Sequence, residues 1–87
     1  MKQFCKDVID FLQSEYGDSY RFKLDLIQDV TYGEDAELLI YYNSSYRIRL
    51  NRNSMKHLFI LWQSKLYIEE RKQYQWQKEL IDIIEGG

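Results

Sequence analysis

Residues 38–50 read LLIYYNSSYRIRL, and this stretch decides the fold. Two runs rich in β-branched and aromatic residues flank a polar turn, Asn43-Ser44-Ser45, which is typical of an antiparallel hairpin. One register gives the hairpin a wholly apolar face, with Leu38 opposite Leu50, Ile40 opposite Ile48 and Tyr42 opposite Tyr46. A shift of one residue would bring Arg47 and Arg49 into that face, and burial of unpaired charge is costly. The sequence therefore predicts this register.

A third strand precedes the hairpin. Residues 20–30, YRFKLDLIQDV, alternate between apolar and polar side chains, which predicts a half-buried antiparallel strand. The connection at residues 31–35 is short, so we expect this strand to lie beside the hairpin. Continuing the hairpin register places Leu26 in a row with Ile40 and Ile48. The three strands then form a meander with one apolar face, which a helix must cover.

Helical periodicity is present on both sides of these strands. The apolar residues of segment 2–16 recur every three or four positions, which predicts an amphipathic helix that ends at Gly17. After the hairpin, residues 51–54 offer candidates for a helix N-cap, and a second helix is expected from Met55.

The C-terminal third of the chain allows two interpretations. We expect a break near residues 64–67 and a third helix from Glu69, because acidic residues suit the first turn of a helix. One bent helix over residues 55–84 is the alternative, since neither Gly nor Pro enforces a stop there. The first interpretation gives a single α+β domain over residues 1–87 with the order αβββαα. Its helices pack on one face of a three-stranded antiparallel meander.

Composition is that of an ordinary globular domain. The 87 residues make one domain with a modest core, and 45% hydrophobic with 30% charged residues argue against intrinsic disorder. The single cysteine, Cys5, cannot form an internal disulfide. Residues 1–11 lack the apolar run of a signal peptide, and no stretch approaches the roughly 18 apolar residues of a membrane span. We therefore expect a cytoplasmic protein that does not enter membranes.

Charge is distributed unevenly along the chain, although the net charge is only −2. Residues 1–37 hold nine acidic and four basic side chains, and residues 69–87 hold five acidic and three basic ones. Residues 38–68 hold five basic side chains and no acidic one. The chain is thus bipolar in sequence, and its charged surfaces are the first candidates for binding.

Residues suited to catalysis are few. Nucleophilic catalysis needs a Cys or Ser beside a base, but Cys5 falls on the apolar stripe of the first helix and the only imidazole, His57, belongs to a different helix. One His and one Cys cannot form a structural zinc site without additional carboxylate ligands, and the sequence does not show such a cluster. The four glycines are too scattered to form a phosphate-binding loop. We therefore expect a protein that is not an enzyme and has neither cofactor nor metal.

An acidic edge is predicted where the first two strands meet. It comprises five residues: Asp29, Tyr32, Glu34, Asp35 and Glu37. Carboxylates around an exposed aromatic ring could mimic phosphates and attract a basic protein partner. An ordinary solvated loop is the alternative interpretation of this edge.

A basic corner is predicted from the third strand into the second helix. It comprises Tyr41, Arg47, Arg49, Arg52 and Lys56. A helix N-terminus favours anions, and arginines interleaved with a tyrosine could hold a nucleic acid. An ordinary sheet face is again the alternative. Separately, Tyr74 and Trp76 on the polar last helix are candidates for self-association.

Two protein families share the predicted element order. The order αβββα over residues 2–65 resembles the double-stranded-RNA-binding domain, whose second helix starts with several lysines; the matching residues 53–57 hold one. The αβββαα order, the length and the acidic edge resemble small phage-encoded anti-CRISPR proteins that inhibit a Cas nuclease. This second resemblance covers the whole chain but includes no residue motif, so no contact residue is carried over. It implies a stoichiometric inhibitor that covers the DNA-contacting surface of a nuclease.

Three functions therefore compete. The leading hypothesis is a non-enzymatic protein-binding module, an inhibitor or adaptor from a phage or mobile element. Its acidic edge would bind a basic surface, such as that of a Cas nuclease. Nucleic-acid binding through the basic corner is the alternative, and the third hypothesis is a phage structural or assembly subunit that dimerises through its last helix. A monomer or a homodimer is expected.

Overall fold

The computed structural model describes residues 2–31 and 33–86, without the side chains of Asp29, Glu34 and Tyr46. The helices are α1 (Lys2–Tyr16), α2 (Arg52–Ser64) and α3 (Gln75–Gly86), and a 3₁₀ turn, Gly17–Ser19, follows α1. The strands are β1 (Tyr20–Asp29), β2 (Gly33–Tyr42), β3 (Ser45–Leu50), β4 (Tyr67–Ile68) and β5 (Gln73–Tyr74). The predicted α+β class and the αβββαα order are confirmed, with a small β4–β5 hairpin added between α2 and α3.

One core joins the sheet to all three helices. The sheet has the order β1-β2-β3, and the central strand β2 contributes Ala36, Leu38 and Ile40 to the core. The helices contribute Phe4, Val8, Leu12, Met55, Leu58, Trp76 and Leu80. The molecule measures 37 × 35 × 21 Å, and its shortest dimension corresponds to one layer of helices on one sheet.

The register of the central hairpin is confirmed at two of its three predicted pairs. Leu38 faces Leu50 and Ile40 faces Ile48, but Tyr41, rather than Tyr42, faces Tyr46. The strands meet in a two-residue turn instead of the predicted three-residue one. Strand β3 therefore has one extra residue between the pairs of Tyr46 and Ile48, and Arg47 forms a bulge there. The turn residues Asn43 and Ser44 have φ of 50° and 67°, the positive values that match the twist of paired strands.

Strand β1 pairs with β2 on the predicted face but four residues out of the predicted register. Phe22, rather than Leu26, lies opposite Ile40, and Leu26 lies opposite Ala36. The shift arises because β2 already begins at Gly33, so that only residues 30–32 join the two strands. The resulting shift of four residues is an even number, so the same side chains stay on each face of the sheet.

The predicted break after the second helix is confirmed, but the predicted start of the third helix at Glu69 is wrong. Helix α2 ends with Lys65 in the left-handed conformation, at φ 55°, and the Lys65 N–H donates to the Trp62 carbonyl. Residues 69–72 form the turn of the β4–β5 hairpin, whose strands are joined by an edge-to-face contact of Tyr67 with Tyr74 at 5.2 Å. Helix α3 begins after this hairpin.

Two further predicted boundaries agree with the structure. Gly17 has φ +69° directly after α1, as a left-handed helix stop requires. Asn51 caps α2, since its side-chain oxygen accepts the Ser54 N–H at 2.9 Å. Within residues 2–31 and 33–86, no helix has the length and apolar character needed to cross a membrane.

Candidate functional site

The described carboxylates of the predicted acidic edge are paired with basic side chains of the same chain. Asp35 is 2% exposed, and its Oδ1 lies 3.2 Å from the Lys56 Nζ. Glu37 accepts a hydrogen bond from the Arg49 guanidinium at 2.7 Å. The predicted placement of Asp35 in the connection at residues 31–35 is therefore wrong, because Asp35 belongs to β2 and is buried where α2 packs on this strand. Tyr32 and the side chains of Asp29 and Glu34 lie outside the described residues.

The predicted basic corner is the other half of the same ion-paired surface. Strand β3 ends opposite Leu38, so the earlier part of β2 lies beside the first turns of α2, and Arg49 and Lys56 meet the carboxylates there. Arg52 is exposed and lines a small open cleft together with Glu37 and Arg49. The structure thus brings the two predicted surfaces together, and part of the charge of each is neutralised by the other.

The two remaining residues of the basic corner lie farther along the sheet. The Arg47 guanidinium carbon lies 6.0 Å from the centroid of the Tyr42 ring, at the outer limit of a cation–π contact. Tyr41 is half-buried and lies opposite Arg21 on β1. These two residues are therefore separated from the ion-paired surface at the start of α2.

A larger concave surface lies among the three helices. An open groove of about 890 Å³ is bounded by α1, by the end of α2 and by the start of α3 with Tyr74 before it. Four aromatic side chains line it: Phe11, Trp62, Tyr74 and Trp76. We call this surface the aromatic groove. Polar side chains make up the rest of its lining, and aromatic residues of this kind are enriched at protein–protein interfaces.

The floor of the aromatic groove is held by aromatic packing. Trp76 is 5% exposed and contacts Phe11 edge to face, with 5.6 Å between ring centroids. The prediction that Trp76 mediates self-association is therefore not supported by its position, since its own chain covers it. Tyr74 is 41% exposed, and its backbone N–H donates to the Gln77 side chain at 2.9 Å, which fixes the start of α3.

Two carboxylates of α1 give the aromatic groove a negative rim. The Trp62 indole N–H donates to the Asp7 Oδ2 at 2.9 Å, and the Gln3 amide donates to the Asp7 Oδ1 at 2.8 Å. Asp10 lies one turn further along α1, is exposed and forms no ion pair with any residue that the structure describes. Lys65 lines the groove as well and brings one positive charge.

Exposed apolar side chains lie close to the aromatic groove. Leu66 is 55% exposed and directly follows Lys65, and Tyr67 is 47% exposed and contacts Tyr74. Large apolar side chains that are exposed together are typical of surfaces that bind other proteins. The groove and the β4–β5 hairpin therefore form one candidate interaction surface.

The sequence alone did not identify the aromatic groove. Helical periodicity alone places Phe11 on the apolar stripe of α1, and Asp7 and Asp10 on its polar side. It places Trp62 among the apolar residues of α2. The groove forms where the polar and apolar sides of α1 meet the ends of two other helices, and only the tertiary arrangement brings those elements together.

Residues suited to catalysis do not gather in the part of the chain that the structure describes. Cys5 is half-buried and His57 is exposed on α2. The described Asp, Glu, His and Cys side chains form no group of three that could bind a metal. Burial raises the pKa of the Tyr16 phenol above its ordinary 10.0, and the negative charges of Glu85 and Glu15 raise it further.

Comparison with protein-family models, with curated proteins and with solved structures finds no match to the chain. What the chain does must therefore be inferred from its own surfaces.

Proposed function

We propose that this chain is a small non-enzymatic protein-binding module that holds a segment of its partner in the aromatic groove. The observation that carries the proposal is the groove itself, about 890 Å³ in volume and lined by four aromatic residues. Aromatic side chains supply much of the binding energy at protein interfaces. The exposed side chains of Leu66 and Tyr67 extend the contact surface beyond the groove.

The rim of the aromatic groove favours a partner segment that carries Arg or Lys next to an apolar residue. A cation at the rim would lie near Asp10 and could stack on the Trp62 or Tyr74 ring, while the apolar neighbour enters the groove. Asp7 is held by its hydrogen bonds to Trp62 and Gln3, so the carboxylate needs little reordering on binding. The proposed ligand is therefore a basic and apolar peptide segment.

A narrower form of the proposal concerns the class of partner. Proteins that bind nucleic acids carry basic surfaces, so a module with an acidic rim could bind such a protein and inhibit it. A Cas nuclease, or another nucleic-acid enzyme that a phage or mobile element must inactivate, is a partner of this kind. The negative rim supports this form of the proposal, and inhibition of a purified nuclease by stoichiometric amounts of the chain tests it.

Nucleic-acid binding is the competing function, and two contacts argue against it. Arg49 is bonded to Glu37, and Lys56 is paired with Asp35, so two of the four cations of the basic corner lie next to carboxylates. Phosphate contacts depend on unneutralised Lys and Arg. Titration of labelled double-stranded DNA and RNA at low and moderate salt tests this function. We expect no binding, and binding that weakens steeply with salt would contradict the protein-binding proposal.

Selection from a library of random linear peptides tests the proposed function directly. We expect enriched peptides to carry Arg or Lys beside an aromatic or aliphatic residue. In solution, Asp10→Lys should weaken their binding by roughly tenfold or more, because like charges would then meet at the rim. Lys65→Glu should strengthen it, because it adds a carboxylate to the groove.

Matched variants outside the aromatic groove control for net charge. Asp18→Lys, on the exposed 3₁₀ turn, is the control for Asp10→Lys. Lys72→Glu, in the turn of the β4–β5 hairpin, is the control for Lys65→Glu. We expect both to bind the selected peptides as the wild type does. Equal effects of Asp10→Lys and Asp18→Lys would show that attraction is unspecific and would overturn the assignment of the groove.

A further inference from the structure

Strand β1 has a long open edge. It lies at the edge of the sheet, spans ten residues, and none of its described side chains is buried. The opposite edge strand, β3, spans six residues and carries the bulge at Arg47. Short and bulged edges resist pairing with further strands, whereas long regular ones present unpaired backbone groups to other chains. An additional strand would therefore be accepted at β1 and resisted at β3.

Both faces of β1 carry side chains suited to a further strand. On the face toward the core, Phe22 and Leu24 are only half-buried and Leu26 is 44% exposed, so apolar surface remains uncovered. On the other face, Lys23 and Asp25 are neighbours, with 3.8 Å between Nζ and Oδ2. One cation and one anion thus flank the central residue Leu24.

We propose that β1 pairs with β1 of a second copy of this chain, antiparallel and about a two-fold axis at Leu24. In this register Lys23 lies opposite Asp25 of the second copy, and the symmetric pair repeats the contact. The two Leu24 side chains face each other, and Phe22 lies opposite Leu26 of the second copy. The two three-stranded sheets would then form one continuous six-stranded sheet.

The sequence of β1 points to a second copy rather than to an unrelated strand. A two-fold interface must be complementary to itself, and a Lys and an Asp placed symmetrically about Leu24 meet this condition. If the two-fold axis lay at Lys23, two lysines would lie opposite each other. If it lay at Asp25, two aspartates would lie opposite each other. Opposite charges across paired strands stabilise the pairing and like charges destabilise it.

The proposed dimer leaves the aromatic groove available. The residues that line the groove come from α1, α2, Lys65, Tyr74 and α3. The dimer contact uses β1, so each copy would keep its own groove, and failure of one proposal would not decide the other.

Charge exchange within β1 tests the dimer. Sedimentation over a range of protein concentrations should show a wild-type dimer, and Lys23→Asp or Asp25→Lys should each weaken dimerisation by at least tenfold. The double variant Lys23→Asp with Asp25→Lys restores opposite charges across the axis and should return to wild-type dimerisation. Lys6→Asp makes the same charge change at an exposed position of α1, away from β1, and should not affect dimerisation.

Crosslinking tests the position of the axis. In a Cys5→Ser background, Leu24→Cys should form a disulfide-linked dimer under mild oxidation, because residues opposite each other in antiparallel strands lie within disulfide distance. Arg21→Cys, which faces Ile27 of the second copy, should not. A wild type that stays monomeric at every concentration would overturn the proposal, and so would single charge variants that dimerise like the wild type. A double variant that fails to recover would overturn this register.

Discussion

At the scale of single residues, the contact between Asp35 and Lys56 pairs a buried carboxylate with a partly exposed ammonium group. The carboxylate is 2% exposed, and its Oδ1 has the Lys56 ammonium at 3.2 Å but no aligned hydrogen bond among the described residues. Removing one partner of a buried pair leaves the other charge uncompensated, whereas a Lys that loses its partner can turn to water. The two halves of the pair should therefore respond differently to substitution.

Lys56→Met tests this asymmetry. We expect it to lower the free energy of unfolding by roughly 1–3 kcal/mol, because Asp35 stays buried without its cation. Asp35→Asn should cost less, since it removes the buried charge and leaves Lys56 partly exposed. Urea unfolding followed by tryptophan fluorescence measures both, with Lys72→Met as the exposed control. A larger loss for Asp35→Asn would show that the aspartate stabilises the fold through something other than this ion pair.

Tyr16 gives a prediction about alkaline pH. Burial raises its pKa above 10.0, and the charges of Glu85 and Glu15 add to the shift, so the fold favours the neutral phenol. This contribution to stability is fully present below pH 10 and is lost as pH rises through the pKa of the folded state. Tyr16→Phe should therefore lose less stability than the wild type between pH 9 and pH 11. Thermal unfolding across that range measures the difference, and identical slopes would contradict it.

At the scale of elements, the two-residue period of the strands predicted which side chains share a face but not how far the strands are offset. Every shift by an even number of residues keeps the same face buried, so nothing in the alternation distinguishes Leu26 from Phe22 as the neighbour of Ile40. The position of the turn between β1 and β2 decides it. In the hairpin, charge on one face and apolar residues on the other predicted two of three pairs, and the bulge at Arg47 displaced the third.

The start of α3 was mispredicted for a related reason. Two adjacent glutamates suit the first turn of a helix, but they suit an exposed turn equally well. The contact of Tyr67 with Tyr74 joins residues seven positions apart across a hairpin, a spacing that also fits two turns of a helix. Local sequence therefore leaves both structures open, and packing against α1 and α2 selects the one that buries Trp76.

Replacement by Gly should change the free energy of unfolding in opposite directions at two positions near the end of α2. Lys65 has φ 55°, a left-handed conformation that costs a residue with a Cβ about 1 kcal/mol, so Lys65→Gly should raise the free energy of unfolding by roughly 0.5–1 kcal/mol. Gln63→Gly, two residues earlier inside the helix, should lower it by about 1 kcal/mol. Chemical denaturation of both variants checks the pair. Destabilisation by both would show that Lys65 stabilises the fold through its side chain.

At the scale of the whole molecule, the fold has three distinct surfaces: the ion-paired surface between β2 and α2, the aromatic groove, and the open edge of β1. The acidic edge and the basic corner meet where β2 lies beside α2, and their charges partly neutralise each other. The aromatic groove lies among the helices, and the open edge of β1 lies at one side of the sheet. The charge distribution along the sequence therefore does not predict the charge of the folded surface, because folding brings oppositely charged segments together.

Joining the two proposals gives a prediction about avidity. A dimer through β1 carries two aromatic grooves, so on a surface coated with a groove-binding peptide the wild type should dissociate at least tenfold more slowly than Asp25→Lys. For a single peptide in solution the two proteins should have the same Kd, because the groove is unchanged. Restoring the dimer with Lys23→Asp in the Asp25→Lys background should restore slow dissociation. Equal dissociation rates with equal Kd would show that the two grooves do not act together, and a weaker Kd for Asp25→Lys would mean that β1 itself contributes to the groove.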